Sequence, residues 1–102
     1  MKVEFLYTKD CHVWKQSMHL LERILKQHNI KTKIDLIEVK TQRDAIKHKF
    51  SGSLQINIDE KDADPFVVKI RKYSLACCRN YFFQGNVYEF PPSAMILDAI
   101  RR

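Results

Sequence analysis

The chain has 102 residues, 45% of them apolar, with only 2 Gly and 3 Pro. That suits one globular domain and excludes a disordered or low-complexity chain. The formal net charge is +6, and no apolar run approaches the roughly 18 residues a membrane span needs.

The basic excess lies in residues 1–50, with eleven Lys and Arg against six Asp and Glu. These cations are dispersed, with weak concentrations at Lys26, Lys31, Lys33 and Lys40 and at Lys47 and Lys49. No groove-reading module or aromatic-basic signature accompanies them, so nucleic acid is not the expected partner.

Residues 3–7 read as a strand, followed by the polar turn Thr8-Lys9-Asp10 and then Cys11. From about 13 to 28 the apolar positions fall at helical spacing. Trp14, Met18, Leu21, Leu25 and His28 form a stripe that Leu20 and Ile24 widen. His28-Asn29 supplies the stop, a cation-capable side chain and then a residue that tolerates the left-handed region. Lys33–Val39 alternates and is rich in Ile, Leu and Val, which predicts a strand. Thr41 is placed to cap a short helix over 42–48, closing on Phe50.

Ser51-Gly52-Ser53 breaks the chain. Leu54, Ile56 and Ile58 then alternate with Gln55 and Asn57, the pattern of a half-buried strand. Residues 59–62 read as a polar turn, and Asp64-Pro65 opens a less regular stretch under which Phe66-Val67-Val68 and Ile70 are expected to pack. A further strand is predicted over 75–83, with Gln84-Gly85-Asn86 turning the chain. Pro91-Pro92 sets up a last helix, with Ser93 near its start and Ile96, Leu97 and Ile100 on its buried side. The order is β-α-β-α-β-β-α. Helices between the first three strands imply parallel crossovers. The third and fourth are expected antiparallel, in one four-stranded mixed sheet of order 2-1-3-4 flanked by helices.

Cys11 is the candidate nucleophile. A cysteine between a strand and a helix N-terminus meets unpaired N–H groups and the positive end of the helix dipole, which favour thiolate. His12 and Trp14 flank it. A second thiol would be needed at position 14 for exchange within one site, and Trp14 stands there instead. Cys77 and Cys78 are neighbours whose side chains would point to opposite faces of a strand; Cys78 is the secondary thiol candidate. Three cysteines are an odd number and do not make a disulfide framework. The histidines at 12, 19, 28 and 48 are scattered, so neither a metal site nor any cofactor is expected. Met1-Lys2-Val3-Glu4 leads straight into a strand with no signal-peptide pattern, and a cytoplasmic location is expected.

The element order, with a cysteine after the first strand, resembles the thioredoxin fold. Val3-Glu4-Phe5-Leu6-Tyr7-Thr8-Lys9-Asp10-Cys11 is similar to the opening of small thioredoxin-like proteins. Leu36-Ile37-Glu38-Val39, the helix around Ala45, and Phe50-Ser51-Gly52-Ser53 resemble the middle of one small branch, and Cys78-Arg79-Asn80-Tyr81 resembles its later Cys-Arg-x-Tyr segment. Pro91-Pro92-Ser93-Ala94-Met95-Ile96 fits its last helix. The resemblance implies a substrate groove at Ser53 and Leu54. Two departures fall on the chemistry. Cys-x-x-Cys is replaced by Cys11-His12-Val13-Trp14, and the family's cis-proline by Leu54. A cis bond before Leu costs about 3 kcal/mol, so a trans bond is expected.

These features imply a thioredoxin-fold protein with an incomplete redox site. Cys11 would act through single-cysteine chemistry or thiol-dependent binding, with a protein thiol or disulfide as partner. The alternative is a non-enzymatic interaction module. Three consecutive rings at Tyr81, Phe82 and Phe83 cannot all face inward, so a homodimer through the 78–83 edge strand is a further expectation.

Overall fold

The structure, a computed structural model, describes residues 1–65, 73–75 and 79–102. Phe66-Val67-Val68, Ile70, Cys77 and Cys78 lie outside the described residues.

β1 (Val3–Tyr7) is one of the two inner strands of a four-stranded mixed sheet, and its burial on both faces explains why. Val3 and Phe5 are fully buried on one face, in a core shared with Leu21, Ile24 and Leu25 of α1 (Trp14–Gln27). Leu6 is buried on the other face with Val39, Ala45 and Phe50. A strand sunk on both faces needs helices on both sides. α1 and α3 (Ser93–Arg101) contact each other and cover the first face, where Ile96 and Ala99 join the core. α2 (Gln42–Lys47) brings Ala45 to the second. Each fully buried Leu, Ile or Phe contributes about 1.5–3 kcal/mol.

The local signals hold. α1 ends at His28, and Asn29 takes a φ of 56°. Trp14 and Met18 are half-buried, whereas His28 at the foot of the stripe is exposed. Thr41 caps α2, its Oγ1 accepting the Asp44 N–H at 3.1 Å. α3 buries Met95, Ile96 and Ala99, with Leu97 and Ile100 half-buried against the first core.

Long-range pairing departs from expectation in three places. β2 (Ile34–Glu38) runs parallel to β1, but β3 (Gln55–Ile58) runs antiparallel to it, with Leu6 opposite Gln55 and Val3 opposite Ile58. α2 has six residues and, at about 1.5 Å per residue, is too short to carry the chain back along a strand. β3 therefore starts at the end of the sheet where β2 finished. Among the described residues the fourth strand is β4 (Lys61–Asp62); of the expected 75–83 strand, residues 76–78 lie outside the described residues and Tyr81–Phe83 is not in this sheet. Asp59 and Glu60, at φ 51° and 69°, form a two-residue hairpin loop that returns the chain beside β3. β5 (Tyr81–Phe83) and β6 (Asn86–Tyr88) form a separate two-stranded sheet around Gln84 and Gly85, both at positive φ. The order β2-β1-β3-β4 is the 2-1-3-4 expected, with a different segment as its last member.

One ring of the aromatic run is left over. Tyr81 is fully buried and Phe83 half-buried, but Phe82 is 65% exposed, opposite Val87 at 61%. No helix among the described residues is long and apolar enough to cross a membrane.

Candidate functional site

Cys11 sits in the turn between β1 and α1. The Thr8 carbonyl accepts its N–H at 3.1 Å, which folds the turn under the end of β1. α1 begins after Val13, and no side-chain hydrogen bond caps it. Such an N-terminus favours nearby negative charge. Yet Cys11 is only 4% exposed, within the same apolar cluster as Val13 and Leu54.

Ser53 and Leu54 arrive on the loop entering β3. Ser53 Oγ accepts the Thr8 N–H at 3.1 Å, joining that loop to the Cys11 turn. The Ser53–Leu54 peptide is cis, not trans. The trans expectation weighed the bond by itself, whereas distant groups hold both carbonyls here. The Arg79 N–H donates to the Ser53 carbonyl at 2.8 Å, and the Tyr81 hydroxyl donates to that of Leu54. Both residues are fully buried, so they floor the turn and expose no side chain to a groove.

The flanking residues point elsewhere. His12 Nε2 lies 3.4 Å from Glu89 Oε1, in a pair whose side chains are both well exposed, and such pairs contribute little. Trp14 stacks on Tyr7 with ring centroids 4.2 Å apart, and Lys15 Nζ lies 5.7 Å from the Trp14 ring. Trp14 also packs against the first core, so it serves both as the head of the apolar stripe and as part of the surface around the turn.

Behind the Ser53–Leu54 loop lies a charged cluster that sequence reasoning missed. Arg79 donates two hydrogen bonds to Asp62, at 2.8 and 2.9 Å, and approaches Asp64 at 3.7 Å. Its guanidinium carbon is 4.3 Å from the Tyr81 ring centroid. The Arg79 and Asp62 side chains are each 7% exposed and that of Asp64 is 8%. Burial pushes the Asp62 carboxyl above its ordinary value, and Arg79 offsets this only in part. For Arg79, burial acts downward, but Tyr81, Asp62 and Asp64 outweigh it and leave the group raised. Burial holds the Tyr81 phenol well above its ordinary value, against the pull of Arg79. Arg79 and Tyr81 stand in the segment that carried the family resemblance, but without a role. Asp62 read as part of a turn, and nothing local links it to a residue 17 positions on.

The arrangement brings Cys11, Ser53 and Leu54 together and leaves His12 outside. Among the described residues no group of His, Cys, Asp and Glu could hold a metal ion. The described part of the site thus offers one enclosed sulfur with no second thiol beside it. No protein-family model, curated protein or solved structure matches this chain.

Proposed function

We propose that the chain is a thioredoxin-like domain that serves as a protein-interaction module and does not catalyse thiol–disulfide exchange. The observation that carries this reading is the enclosure of Cys11 at 4% exposure. Attack on a partner disulfide needs a reachable thiolate. The strand order β2-β1-β3-β4 and the loop before β3 lying against the cysteine turn support the thioredoxin-like part of the proposal. The Tyr7–Trp14 stack and Lys15, next to the Cys11 turn, are side chains suited to contact with a protein partner and support the module reading. Exposed Phe82 and Val87 are assigned to the partner-facing surface as well, and a second copy of the chain is the simplest protein to cover them.

The deciding experiment is the rate of Cys11 modification by a small disulfide reagent in a Cys77→Ser/Cys78→Ser background. The reading expects reaction at least about 100-fold slower in the folded chain than in urea, because an enclosed thiol reacts only through opening. A folded-state rate equal to or above the unfolded one would establish an activated thiol and restore single-cysteine chemistry as the function.

A further inference from the structure

On the sheet face away from α1 and α3 lies a cavity of about 700 Å³, a size typical of small-molecule sites. Its floor follows from strand alternation. β3 turns Ile56 and Ile58 into the first core and Gln55 and Asn57 towards the cavity. Gln55 is 2% exposed and Asn57 6%, so two amides are sunk where a sheet usually presents apolar groups to a covering layer.

The hydrogen bonds determine how these amides are turned. Gln55 Oε1 accepts the Ser51 N–H at 2.8 Å, and its Nε2 donates to the Lys49 carbonyl at 3.1 Å. Two backbone groups therefore settle which end of Gln55 is which. The same Nε2 donates to Asn57 Oδ1 at 3.0 Å. The Asn57 oxygen is thus taken, and its Nδ2 has no hydrogen-bond partner among the described residues. Ser51 lines the same cavity, and its Oγ is buried with no partner. Buried polar groups without partners are rare and costly. The Ser51 Oγ is one such group, and with the undonated Asn57 amide lining the same cavity it points to an acceptor-bearing ligand.

The charges at the cavity select its sign. Lys47, Lys49 and Lys61 are exposed along the lining. Of the carboxylates there, Glu60 pairs with Lys2 at 3.3 Å and Asp62 is held by Arg79, which leaves Glu4 to oppose three ammonium groups. We propose that this cavity binds a small phosphorylated compound, its anionic group near Lys47, Lys49 and Lys61 and an acceptor oxygen on the Asn57 amide and the Ser51 hydroxyl. The proposal is independent of the reading of Cys11.

The test follows the Asn57 side-chain amide by NMR while the full chain is titrated with ribose 5-phosphate, inorganic phosphate or ribose. Saturable shifts are expected with ribose 5-phosphate, weaker binding with inorganic phosphate, and none with ribose. Asn57→Leu and Lys47→Gln/Lys49→Gln should each weaken binding about tenfold or more, the effect of losing a hydrogen bond or ion pair to a charged group. Arg23→Gln/Lys26→Gln, an equal charge change on the exposed face of α1, should leave it unchanged. If Asn57→Leu does not fold, the two lysine and arginine pairs decide. The proposal is overturned by an equal loss in the α1 pair, by ribose or inorganic phosphate binding as well as ribose 5-phosphate, or by no saturation up to about 10 mM.

Discussion

Replacing Arg79 by leucine should destabilise the fold by about 3–5 kcal/mol, the range for breaking a buried ion pair from one side. The structure gives the reason for so large a value. Arg79 holds Asp62 through two short hydrogen bonds, lies 3.7 Å from Asp64, and covers the Tyr81 ring. None of the three charged side chains is more than 8% exposed. Leucine would leave the Asp62 carboxylate in a poorly hydrated site without the guanidinium that holds it. A domain of this size has only about 5–15 kcal/mol in total, so the variant should lose from about a fifth of its stability to nearly all of it. Its Tm should fall on the order of 15–30 °C. Urea unfolding followed by Trp14 fluorescence measures the loss. The Asp62→Leu/Arg79→Leu double variant should fall short of the summed single losses by about 1–3 kcal/mol, because it removes the stranded charge as well as the bond. A loss below about 1 kcal/mol for Arg79→Leu, the range of exposed pairs, would refute the reasoning and show that water reaches the carboxylates.

The pH dependence should carry two separable signatures. The native Tyr81 phenol lies well above its ordinary value through burial, so unfolded chains release its proton first. Stability from this group is complete below about pH 10 and is lost as pH rises through the native value; of the phenolate absorbance of the four tyrosines, one tyrosine's share that appears only with unfolding, and is missing in Tyr81→Phe, checks it. Asp62 is also raised by burial, so its contribution is complete below about pH 4 and declines as pH rises through the native value. Asp62→Asn should remove that slope from the stability curve, and an unchanged slope would contradict it. If a second copy covers Phe82, sedimentation at micromolar concentration shows a dimer that Phe82→Ser dissolves; a monomer unchanged by Phe82→Ser removes that partner. Catalytic reduction of insulin-type disulfides should be absent in the wild type, and robust turnover that survives Cys77→Ser/Cys78→Ser would overturn the module reading.

What could be read from the chain ahead of the structure was local in origin. The stripe of α1, the Thr41 cap and the Gln84-Gly85 turn each follow from residues within one or two turns of each other, and each is in place. The direction of β3 was not legible, because it depends on how far α2 can carry the chain, and alternation is blind to strand direction. The fourth strand was hidden for a related reason. Asp59-Glu60-Lys61-Asp62 has the composition of a turn, and only the first two residues make one. Position alone marked Cys11, but the dipole argument considers only the backbone of α1. It does not count the apolar cluster that closes over the sulfur.

The cysteine turn and the charged cluster form one construction. Ser53 receives hydrogen bonds from both, on its Oγ from Thr8 and on its carbonyl from Arg79. Leu54 shares the apolar cluster of Cys11, and its carbonyl takes the Tyr81 hydroxyl. A chain whose Cys11 must attack a partner gains nothing from sealing the floor beneath it so completely. A chain that presents a fixed surface does gain, because ordering costs fall when the surface is rigid before the partner arrives. The cluster of Arg79, Asp62 and Tyr81 holds the Ser53–Leu54 loop, that loop holds the turn, and the turn leads into Trp14, whose ring rests on Tyr7 at the surface. On this argument Arg79→Leu should weaken partner binding as well as the fold, and Trp14→Ala should weaken binding while sparing most of the stability held in the Arg79 cluster.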